Sequence, residues 1–173
     1  MEFNNQKKRP HNDRLFLNLI RLNGPMSKAD LTRVSGLSAQ SATVIVNRLV
    51  KQGLLKSGVS IRGKIGQPST PYSLNPEGAY TIGVKVGRRS IEVALMTFDY
   101  EISNRIVHHY EFPRFTIVRE KMSDFVADIM QTLDDNQKER IVGIGVAIPD
   151  DLSAWETVIG ASDGDMANWS DAD

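Results

Sequence analysis

Apolar positions recur with two different periods along this chain, and the change falls near residue 76. In NDRLFLNLIRLN (12–23), Leu15, Leu19 and Leu22 repeat at helical spacing with Phe16 and Ile20 beside them, and Asn12 stands where an N-cap is expected. Gly24-Pro25 stops that helix. Ser27 then caps a short second helix, KADLTRVS, which ends at Gly36. Ser38 caps a third, from Ala39 to about Gln52, closed by Gly53. In it Ala42, Ile45, Val46 and Leu49 fall at i, i+3, i+4 and i+7, the spacing of a core-facing stripe. Beyond it the period shortens: LLKSGVS (54–60) and STPYSL (69–74) read as strands, joined by the Gly-rich, basic IRGKIGQP.

From residue 77 the pattern is mainly that of strands. AYTIGVKV, RSIEVALMTF and EISNRIVHHYEF predict three, with tight connections at Gly87-Arg88-Arg89 and Asp99-Tyr100. A long amphipathic helix follows over about 115–135, with Val118, Met122, Phe125, Ile129 and Leu133 on one side. RIVGIGVAIP (140–149) is a continuous apolar run, the composition of a strand buried on both faces. After Pro149 the pattern fades into an acidic stretch. The reading is therefore α/β, with two domains: a helical and winged unit over 1–76 and a sheet-bearing unit over 77–173.

The outer face of the third helix is unusual for a helix that only packs. Long charged residues are the common choice there; this one offers Gln40, Ser41, Thr43, Val44, Asn47 and Arg48. Three short helices followed by a two-stranded basic hairpin is the order of a winged helix-turn-helix, whose second motif helix enters the DNA major groove. Small polar groups let that helix approach closely. A Gln pairs with an adenine edge, Ser and Thr serve either partner, and Val meets a thymine methyl. Ser38, with the free N–H groups of the first turn, suits a phosphate. Arg62 and Lys64 at the wing tip reach phosphates or the minor groove.

Charge points the same way. The 173 residues sum to zero, yet residues 1–75 hold 12 Lys/Arg against 3 Asp/Glu, a charge of +9, and residues 76–173 hold 9 against 18, a charge of −9. The basic unit is the candidate partner of a polyanion. The absence of cysteine excludes disulfides and thiolate chemistry and accords with a cytoplasmic setting. No apolar run is long enough to span a bilayer, and the basic N-terminal residues precede no apolar segment of the signal-peptide kind.

Other candidate chemistry is weak. Adjacent His108 and His109 point to opposite faces of a strand and do not chelate one ion. Asp163, Asp165 and Asn168 lack the Gly and terminal Glu of a calcium loop. Asp134 and Asp135 read as solvated residues at a helix end, where the dipole disfavours them. Gly83, Gly87, Gly143 and Gly145 read as turn and packing glycines. No metal, cofactor or catalytic group is assigned.

Taken together, the run from Arg14 to Ser38, the helix after it, Gly66-Gln67-Pro68-Ser-Thr-Pro, Ile82-Gly-Val-Lys-Val-Gly and Gly143-Ile-Gly-Val-Ala-Ile-Pro resemble a repressor of the ROK family (repressors, open reading frames and kinases). The resemblance implies a winged helix-turn-helix followed by the first part of an actin/ribonuclease H-like, sugar-kinase-like lobe. It also implies a transcriptional repressor of carbohydrate-related genes that binds double-stranded DNA as a homo-oligomer. This sequence departs from the family at several places. Gln67 replaces an Arg that would enter the minor groove, so a hydrogen bond is kept there and a charge is lost. Lys85 and Arg89 stand where kinase members place the Asp and Thr of the phosphate- and metal-binding turn, and Asp150 replaces a Gly. The family's catalytic Asp, sugar-binding residues and zinc cluster lie farther along than Asp173, so a sugar effector is expected only with a second lobe. Three origins fit: a fragment, a truncated product, or a reduced protein. The alternative functions are a vestigial sugar kinase and a truncated interaction module that forms mixed oligomers with longer relatives.

Overall fold

A computed structural model describes residues 10–60, 68–149 and Trp169. The chain divides into two compact units, Met1–Gly78 and Ala79–Asp173.

In the first unit, helix α1 spans His11–Asn23, α2 Lys28–Ser35 and α3 Ala39–Lys51, with strands β1 (Met26–Ser27), β2 (Leu55–Ser57) and β3 (Pro71–Leu74). The α1 helix begins one residue before the expected cap: Pro10 is the N-cap and Asn12 lies inside the first turn. Proline is suited to that end, because the helix asks no N–H of it. The core stripe of α1 also differs from the leucine series. Phe16 and Ile20 are buried with Asp13, while Leu22 is 70% exposed. Ser27 caps α2 through a reciprocal box, its hydroxyl accepting from the Asp30 N–H at 3.1 Å while the Asp30 carboxylate accepts from the Ser27 N–H at 3.2 Å. Those Ser27 hydrogen bonds, the hydroxyl's first, hold the Asp30 carboxyl below its ordinary pKa. Gly36, at φ 71°, turns the chain in the left-handed region that ends α2.

The three strands form one antiparallel sheet in the order β1-β3-β2, with Met26 opposite Tyr72 and Leu55 opposite Leu74. Phe16, Ile20, Leu31, Ala42, Ile45, Val46, Leu49, Leu54 and Leu55 are buried and make the core of this unit. The wing strands are shorter than the apolar pattern suggested, and Arg62, Lys64 and Gln67 between them lie outside the described residues.

In the second unit, β4 (Tyr80–Val86), β5 (Ser90–Thr97), β6 (Ile102–His109) and β7 (Ile141–Ala147) form a four-stranded sheet in the order β6-β5-β4-β7. The first three are antiparallel neighbours, and β7 runs parallel to β4, with Ile82 opposite Ile144. A parallel partner needs a crossover, and α4 (Phe115–Gln131) lies within it, followed by the short α5 (Asp135–Glu139). Ile82, Val84, Val86, Ile91, Val93 and Leu95 form the buried face of the sheet with Val118, Ile129 and Leu133; Met122, Phe125 and Val126 pack against them. The Tyr110 hydroxyl donates to the carbonyls of Gly87 (2.7 Å) and Ser90 (2.9 Å), tying the end of β6 to the β4–β5 turn. Burial pushes that phenol up to about 12, against the effect of the Gly87 hydrogen bond.

Two expectations are corrected here. Asp134 does not end the long helix; it is the N-cap of α5, accepting from the Gln137 N–H at 2.8 Å, where a negative charge suits the dipole. Strand β7 is not buried on both faces, since Val142, Ile144 and Val146 are each about half exposed. The run Asp163–Asn168 lies outside the described residues.

Candidate nucleic-acid interface

The face of interest is built by the turn between α2 and α3. Ser38, extended at φ −66°, accepts the Ser41 N–H on its hydroxyl oxygen at 3.1 Å, and the two hydroxyls lie 2.9 Å apart. The cap satisfies one of the free donors of the first turn and leaves the others at the exposed end. Ala42, Ile45, Val46 and Leu49 are at most 5% exposed. Their burial fixes the rotation of α3 about its axis, so the complementary set must face outward. Gln40, Ser41, Val44 and Asn47 are exposed, Val44 to 56%, and Thr43 is half-buried at the margin. Asn12 joins Gln40, Ser41, Val44 and Ile45 around a shallow cleft of about 330 Å³, a neighbour that no helical period in the sequence indicates.

Arg48 is engaged elsewhere. Its guanidinium pairs with Asp13 of α1, whose side chain is 1% exposed, so this cation ties α3 to α1. Nothing in the spacing of the two residues along the chain signals the contact. Lys28, at the start of α2, is a second residue that the sequence reading missed; its Nζ donates to the Asn47 Oδ1 at 2.9 Å. Of the ten side chains expected at DNA, Gln40, Ser41, Val44 and Asn47 share one surface with Ser38 at its end. Thr43 borders that surface, Arg48 is ion-paired, and Arg62, Lys64 and Gln67 lie outside the described residues.

Among the described residues the sheet unit shows no comparable assembly. Lys85 lies on the exposed side of β4, opposite Glu92 of β5. The Glu92 carboxylate is gripped by Arg105 at 2.7 and 2.8 Å, and this hydrogen bonding is the main reason its pKa is lowered. Among the described residues no three His, Asp or Glu side chains cluster as metal ligands do, and no helix is long and apolar enough to cross a membrane.

A capped second helix with an outward polar face, set beside a three-stranded sheet, defines the first unit as a winged helix-turn-helix, and the second is a mixed sheet covered by a helix. Residues 11–64 match the model of the MarR family. The chain is 24% identical over 162 residues to the xylose repressor of Bacillus spizizenii, covering 94% of this chain and 41% of that protein. It is 29% identical over 76 residues to a transcriptional regulator of Mycobacterium tuberculosis, covering 43% of this chain and 17% of that one. Among solved structures, a ROK family transcriptional regulator, a homologue of the E. coli MLC protein, superposes with a TM-score of 0.54 at 22% identity, over 80% of this chain and 35% of the other. The fold is thus that of the first part of a ROK regulator, in keeping with the resemblance read from the residues. The chain spans about two-fifths of the xylose repressor it matches.

Proposed function

We propose that this chain is a sequence-specific, duplex-DNA-binding transcriptional regulator that acts as a repressor of carbohydrate-related genes. The observation that carries the reading is the outward set Gln40, Ser41, Val44 and Asn47 on a helix whose rotation is set by a fully buried opposite stripe. These groups offer hydrogen-bond donors, acceptors and a methyl contact at groove depth, on a unit that carries the positive charge of the chain. Thr43 and Ser38 extend the contact, and Arg62, Lys64 and Gln67 of the wing supply its phosphate and minor-groove anchors. The names of the relatives support the choice of repressor and of carbohydrate genes. A pair of copies on a two-fold operator is the arrangement this module fits.

The same reading gives the chain no kinase activity. Lys85 has no lone pair to offer a magnesium ion and presents a positive charge to it, so the turn does not position a metal-bound nucleotide. Purified full chain incubated with ATP and a panel of hexoses should form no sugar phosphate.

The test of DNA binding is a fluorescence-anisotropy titration of the full chain with duplexes recovered by selection from a random pool. Affinity should fall steeply as salt rises, with a logarithmic slope of about −0.9 per phosphate contacted. A flat salt profile, or a selection that enriches no sequence, refutes the proposal.

A further inference from the structure

Lys28 is the first residue of α2, and its ammonium is held between two groups. Its ammonium lies 5.6 Å from the centre of the Tyr72 ring of β3 and donates to the Asn47 Oδ1 at 2.9 Å. Lysine donates and cannot accept. The contact therefore settles which way the Asn47 amide lies, because a flip that exchanged Oδ1 for Nδ2 would set a donor against a donor. Asn47 is exposed on the outward face of α3, so the group left for another molecule is its Nδ2, a donor. Free asparagine in a major groove reads adenine with both ends of its amide, Oδ1 accepting from the exocyclic amine. Here that oxygen already serves an ammonium, whose charge repels the amine hydrogens of adenine or cytosine. Gln40, on the same face, has no such partner among the described residues and keeps both ends of its amide.

We infer that Lys28 is a positioning residue that fixes Asn47 as a hydrogen-bond donor, directing it to bases whose acceptors have no amine beside them on the same base, guanine O6 and N7 or thymine O4, and away from adenine, whose N7 acceptor stands next to its amine. The inference rests on the DNA-reading face proposed above and adds a residue and a direction of readout to it.

Two measurements on the full chain separate the pin from the reading. In the absence of DNA, the side-chain amide signals of Asn47 in ¹H–¹⁵N spectra should move in Lys28→Met, which removes the ammonium and keeps a side chain of similar length, and stay near their original positions in Lys28→Arg. With DNA, selection from random duplexes should give guanine or thymine at the one position whose preference disappears in Asn47→Ala. Lys28→Met should admit adenine there, with about a tenfold loss of discrimination, while the position that depends on Gln40 is unchanged. If Lys28→Met instead weakens all sequences equally and lowers the salt slope by about one unit, Lys28 is a phosphate anchor and the inference is wrong. Unmoved Asn47 signals with normal selection refute the pin and leave the DNA reading in place. Moved signals in a chain that selects no duplex refute the DNA reading, and with it the role given to Lys28.

Discussion

The two units differ in how they expose their apolar side chains. In the winged unit Leu22, Val34, Val44 and Val50 reach solvent from three different helices. Scattered exposure of this kind is ordinary for a globular surface. In the sheet unit Val142, Ile144, Val146 and Ile148 are about half exposed along and just past one strand, β7, which forms an edge of the sheet among the described residues. The charges divide as well, +9 before residue 76 and −9 after it. The comparison teaches that exposed positions are informative when they are collective. One outward Val on α3 says little. A capped helix whose outward positions are mostly small or polar, on the basic side of the chain, says a good deal.

The sharpest way to break the comparison is to disturb the tie between α1 and α3. Arg48→Met leaves the Asp13 carboxylate buried without its cation and should destabilise the winged unit by about 3–5 kcal/mol. Thermal unfolding would show an early transition for this unit alone. If stability is kept and only duplex affinity falls, Arg48 serves DNA and not the fold.

A slightly smaller effect is expected from matched cavities. Leu49→Ala and Ile129→Ala each remove a fully buried side chain and should cost about 2–5 kcal/mol. Only Leu49→Ala should abolish duplex binding, and only through unfolding, so that binding returns at low temperature. Equal loss of binding in both variants would show that the winged unit does not read DNA independently of the sheet.

Within the outward face the scale falls again. Gln40→Ala should cost about 1–3 kcal/mol on the selected duplex and relax preference at one base pair, with stability unchanged. Unaltered affinity and sequence preference in Gln40→Ala, Ser41→Ala, Thr43→Ala and Asn47→Ala alike would mean that DNA meets another face.

The smallest effect concerns the cap of α2. The Asp30 carboxyl titrates below its ordinary range in the folded state, so its contribution is present above the unfolded value of 3.8 and is lost as pH falls through the lower folded value. Asp30→Asn should therefore reduce stability by about 1 kcal/mol at neutral pH and make no difference near pH 2. A deficit that persists in acid would point to packing and not charge.

What the residues disclosed beforehand was mostly local. The caps at Ser27 and Ser38, the stop at Gly36 and the inward stripe of α3 follow from interactions within one helix turn or its neighbour. What stayed hidden depends on partners distant in the chain. Strand β1 is two residues long and exists because Met26 and Ser27 meet Tyr72 and Pro71. Asp13 and Arg48 lie on different helices, and the pairing of Lys28 with Asn47 is equally nonlocal. Strand β7 misled for a related reason: apolar content reports affinity for cover, whereas burial depends on what stands opposite. Asp134 reads as the end of the long helix because only Thr132 and Leu133 separate α4 from the cap of α5, and the apolar spacing of α4 runs on through Leu133.

The parallel pairing of β4 with β7 also sets an order of events in time. As the chain emerges, β4, β5 and β6 close in succession through short turns, and those contacts form quickly. The other side of β4 must wait until α4 and α5 have been made and β7 arrives, a loop closure that is slow by comparison. During that interval Ile82 and Val84 sit in a strand with one free edge, so the nascent sheet is most vulnerable to mispairing late in its synthesis. The winged unit precedes it on the ribosome and is available to fold throughout the wait.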